Sequence, residues 1–90
     1  MTRQAAGRAV LDVVDRRSQS NEIRTDVAQD IRNQVNNILS NPSDGVRRIE
    51  LLRQQLLDRT RDDSIKQPAY AELDAAMEQF AKSFNTQTAV

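Results

Sequence analysis

Apolar residues recur at steps of three and four through four stretches of the chain, and each stretch is closed by a polar or proline-containing break. The last is the clearest: Tyr70, Leu73, Met77, Phe80 and Phe84 share one face of a helix. A helix with one apolar stripe needs a neighbour to cover it. Four of them predict an all-α fold, an antiparallel bundle of three to four amphipathic helices. Residues 1–84 form its single domain, and the polar, aperiodic residues 85–90 are expected to be a flexible C-terminal tail.

The first helix is expected over Thr2–Arg17, with Thr2 as N-cap. Ala5, Ala6, Ala9, Val10, Leu11, Val13 and Val14 cover some two-thirds of its circumference, leaving Arg8, Asp12 and Asp15 as a narrow polar strip. So wide an arc needs cover on more than one side, from within the domain or from another chain. Ala5, Ala6, Gly7 and Ala9 are small enough for a close backbone approach. After the polar break Ser18–Asn21, Ser20 or Asn21 is the expected cap of a second helix with the stripe Ile23, Val27, Ile31, Val35, Ile38 and Leu39 at its margin. Its other face is rich in uncharged amides, Gln29, Asn33, Asn36 and Asn37, which suit solvent or a hydrogen-bonding contact.

Asn41-Pro42-Ser43-Asp44-Gly45 is the strongest break: proline cannot continue the helix, Ser43 or Asp44 offers an N-cap, and Gly45 permits a sharp reversal. The short loop makes the second and third helices antiparallel neighbours. Val46, Ile49, Leu52, Leu56 and Leu57 are expected to face inward on a third helix over residues 44–61. Leu51 falls on the polar side with Arg47, Arg48 and Gln55. These four are the candidate protein-binding residues, because an apolar side chain among arginines matches the composition of interface centres. Lone apolar residues are also ordinary on surfaces, the competing explanation. Pro68 fits the first turn of the last helix, which runs to Phe84. The terminal Thr88-Ala89-Val90 fits the loose pattern of a groove-bound C-terminus, which three residues match readily by chance.

The helix, Asn-Pro-Ser-Asp break, helix arrangement over residues 30–60 resembles the small helical-hairpin subunits that build secretion needles, and their chaperones. The end departs from that pattern, since a polar tail follows Phe84, and no functional residue carries over.

Composition mostly removes chemistry. With neither His nor Cys, the common general base, the thiol nucleophile and most transition-metal sites are missing. Asp26 with Asp30, and Asp74 with Glu78, have the i,i+4 spacing that a two-carboxylate cation site uses, but read better as solvated surface. Asp62-Asp63 lacks the alternating oxygen ligands of a calcium loop. Thirteen basic residues balance thirteen acidic ones, which leaves no long-range field to draw nucleic acid or an anionic membrane. Arg16, Arg17, Arg24 and Arg32, and then Arg47, Arg48 and Arg53, still concentrate positive charge. Met1–Arg17, interrupted by Asp12 and Asp15, reads as neither a signal peptide nor a membrane span.

The expected function is therefore a non-enzymatic protein–protein interaction module without cofactor or metal: a small helical adaptor, an assembly subunit or an inhibitor of a larger machine. It is expected to be cytoplasmic, with another protein or further copies of itself as partner, and no small-molecule substrate, nucleic acid or membrane. The alternative is a small dimeric DNA-binding regulator.

Overall fold

A computed structural model describes residues 2–85, the side chain of Asn85 excepted. Four helices, α1 (Arg3–Gln19), α2 (Thr25–Ser40), α3 (Gly45–Arg61) and α4 (Gln67–Asn85), run alternately up and down in a body 41 × 20 × 20 Å. The expected all-α bundle is the fold. Asn85 ends α4, and the rest of the expected tail, with Thr88-Ala89-Val90, lies outside the described residues.

Burial follows the stripes. Val10 and Val14 of α1, Ile31, Val35 and Ile38 of α2, Ile49, Leu52 and Leu56 of α3, and Leu73, Met77 and Phe80 of α4 form one core. The helices are not equivalent, because α1 packs on both α2 and α4, α3 packs mainly on α4, and α2 and α3 approach each other sparsely. The wide arc of α1 is thus covered from two sides of the same chain. Ala6, Gly7, Val10, Val13 and Val14 are buried, while Ala5 stays exposed and Ala9 half-buried. A Cβ on Gly7 would stand 2.8 Å from Leu39, so the glycine makes room for α2.

Several local expectations are corrected. Thr2 does cap α1, its hydroxyl accepting from the Ala5 N–H at 3.1 Å. Ser20 and Asn21 do not cap α2, since Ser20 closes α1 and Asn21 follows with φ of 63°; Arg24 holds the cap position of α2 without a side-chain bond. A polar side chain tolerates that left-handed backbone, which ends a helix as readily as it starts one. Ile23 therefore lies in a loop, yet it is buried, and it pairs with Ile65 in an antiparallel bridge. Arg24 N–H donates to Ser64 O at 2.9 Å, and Lys66 N–H to Glu22 O at 2.8 Å. This stitches the α1–α2 and α3–α4 loops together at one end of the bundle. Asp44 caps α3 only by position, at φ 56° with no side-chain bond.

Gly45 has no positive φ and is not the reversal point. It is required by space: a Cβ there would collide with the Phe84 ring. Phe84 packs at 5.5 Å from Phe80, with the Arg3 guanidinium 5.4 Å above it, closing the opposite end. On α3, Leu57 is 43% exposed rather than inward, and Val46 is half-buried. The buried wedge of α3 is narrower than its apolar residues imply, because α3 packs mainly on α4 and only sparsely on α2.

Candidate functional site

The sparse α2/α3 seam opens to solvent as a shallow depression of about 160 Å³, lined by Gln34, Asn37 and Ile38 from α2 and Arg48, Leu51 and Gln55 from α3. Ile38 is buried at its floor and Leu51, 52% exposed, stands at its rim. Gln34 Nε2 donates to Gln55 Oε1 at 3.2 Å and to Asp30 Oδ2 at 2.8 Å. Arg48 donates through Nη1 to the Asn41 carbonyl at 2.8 Å, turning its charge toward the end of α2. Of the four residues expected at a contact surface, the structure brings Arg48, Leu51 and Gln55 into one rim. Arg47 is exposed one turn before Leu51, and its side chain makes no hydrogen bond or ion pair with the described residues. Of the α2 contribution, Asn37 belongs to the amide face read from the sequence, whereas Gln34 was not singled out there.

Elsewhere, charges cross the helix seams in pairs. Arg32 meets Asp15 at 2.7 Å between α2 and α1, and Arg53 meets Asp74 at 2.8 Å between α3 and α4. Arg16 and Arg17 both reach Glu72 at 2.8 Å, and Arg17 also reaches Glu22 at 2.8 Å. The Ser20 hydroxyl and Arg17 hold the Glu22 carboxyl below the usual carboxylate range, and Arg16 with Arg17 does the same to Glu72. Glu22 and then Glu72 raise the Arg17 guanidinium, and Asp74 raises that of Arg53. The α2/α3 seam is crossed instead by the Gln34–Gln55 amide pair and by Arg48 reaching the Asn41 carbonyl.

A larger groove of about 500 Å³ lies between α1 and α4, with Ala9, Val13 and Ala76 among its lining residues. Size does not make it the better site. Its other linings include Asp15, Arg16 and Glu72, already committed to the pairs above, so an occupant would have to displace short ion pairs. At the α2/α3 seam the crossing bonds in its way are the Gln34–Gln55 amide pair and the Arg48 bond to the Asn41 carbonyl, neither of them an ion pair.

The carboxylates with cation spacing are engaged separately: Asp26 with Arg24, Asp30 with Gln34, Asp74 with Arg53, and Glu78 with Lys82. Among the described residues, no three or more acidic side chains gather around a point that a metal ion could occupy. None of the described helices is long and apolar enough to cross a membrane. Arg16, Arg17, Arg24, Arg32 and Arg53 all face carboxylates. Compared with known protein families, curated proteins and solved structures, the chain matches none.

Proposed function

We propose that this protein is a non-enzymatic binding module, an adaptor, assembly subunit or inhibitor of a larger protein machine, that meets another protein through the outer face of α3 and the α2/α3 seam. The observation that carries this reading is Leu51: a large apolar side chain more than half exposed, with amides and arginines around it. Apolar and arginine side chains at the centre of a patch with a polar rim suit a protein interface. The DNA-binding alternative receives less support, because five of the clustered arginines already face carboxylates and would release few counterions from a phosphate backbone.

The test is capture of partners from the native host by the tagged chain, with Leu51→Glu and Gln19→Ala beside it. Gln19 lines the α1/α4 groove. The reading predicts capture that Leu51→Glu abolishes and Gln19→Ala preserves. Capture insensitive to Leu51→Glu would refute it. Retention of duplex DNA near physiological salt, weakened by replacing Arg47 and Arg48, would favour the alternative.

A further inference from the structure

Resting on the reading of α3 as a contact face, we infer that the occupant of that face is a second copy of this chain, its α3 laid antiparallel on the first. The outward line of α3 runs Arg47, Leu51, Gln54, Asp58, Arg61, all exposed and spaced by four and three residues, the spacing of a straight seam between two helices. Asp44 precedes it by one further step. A two-fold axis between Leu52 and Arg53 sets Arg47 against Asp58 of the second copy, Asp44 against Arg61, and Leu51 against Gln54. Because the contact is isologous, each pairing occurs twice.

The complementarity belongs to this register. Shifting the axis so that Leu51 stacks on its own copy puts Asp44 against Asp58, the opposite shift that stacks Gln54 on its own copy brings Arg47 against Arg61, and in-register parallel pairing sets every charge against itself. The groups concerned are also available. Arg47 and Asp44 have no side-chain partner among the described residues, and Asp58 and Arg61 meet each other only at 3.6 Å, with both side chains over 70% exposed. Cross-helix pairs inside the bundle close to 2.7–2.8 Å. From Asp44 to Arg61 the line is about 25 Å long at 1.5 Å per residue.

Sedimentation of the full chain over a range of concentrations tests this, with Arg47→Glu and Asp58→Arg measured singly and mixed in equal amounts. Both positions are exposed, and unchanged helical signal and melting confirm that the variants fold. The wild type should show a monomer–dimer equilibrium that shifts toward monomer as salt is added. Each variant alone should dimerise roughly tenfold or more weakly, since like charges then oppose each other twice. Mixing them should restore the dimer, because every reversed charge then meets an opposite one. A chain monomeric at all concentrations, a dimer indifferent to the reversals, or a mixture no better than its components would overturn the inference. Loss of self-association alongside intact, Leu51-dependent capture of a different protein would leave the contact reading standing and remove only the second copy.

Discussion

The seam between α1 and α4 and the seam between α2 and α3 are built from similar amphipathic helices, yet they do opposite things. At the first, Val10, Val13 and Val14 meet Leu73, Met77 and Phe80 in the core, and Arg16, Arg17 and Glu72 lock the rim. At the second, contacts are few, the crossing bonds are an amide pair and Arg48 to the Asn41 carbonyl, and a leucine faces water. The difference shows how a small bundle divides its surface: where burial and ion pairs join one pair of helices, another pair can keep an edge that no ion pair crosses among the described residues.

The largest effect belongs to the tight seam. Leu73→Ala or Phe80→Ala removes a fully buried side chain and should cost about 2–5 kcal/mol in denaturant unfolding. Values below 1 kcal/mol would mean that the two seams do not differ as described. Gly45→Ala comes next. Its methyl must displace the Phe84 ring, so a loss of about 1–3 kcal/mol is expected, and pairing it with Phe84→Leu should recover part of that loss.

A smaller, pH-dependent effect marks the rim. Glu22 and Glu72 are held below the ordinary carboxylate range in the folded chain. A carboxyl with a depressed folded value binds protons less readily than in the unfolded chain, so its contribution is present above roughly pH 4 and fades as pH falls through the folded value. Glu72→Gln should flatten that acid limb of a stability profile. A limb identical to that of the wild type would place the acid sensitivity elsewhere. The effect is modest because these groups are largely solvated.

The stripes were legible because periodicity records which face is buried, and Leu51 was legible as an exception to its own stripe. Ile65 was not. A single apolar residue inside Asp62–Gln67 has no period, and its role depends on a loop far away in the chain. Only a side-by-side reading of the two breaks, Asn21-Glu22-Ile23-Arg24 and Asp63-Ser64-Ile65-Lys66, shows a polar pair, an isoleucine and a basic residue repeated. Gly45 was misread because glycine signals both conformational freedom and small size, and only the position of Phe84 decides between them. The inward expectation for Leu57 failed for a geometric reason, since the width of a buried face depends on how many neighbours a helix has.

Leu51→Glu tests the division between the two seams most directly. Denaturant unfolding of this variant should stay within about 0.5 kcal/mol of the wild type, as for an ordinary surface substitution. A loss comparable to that of Leu73→Ala would contradict the account, because the α2/α3 edge would then be holding the fold together and would not be free for a partner.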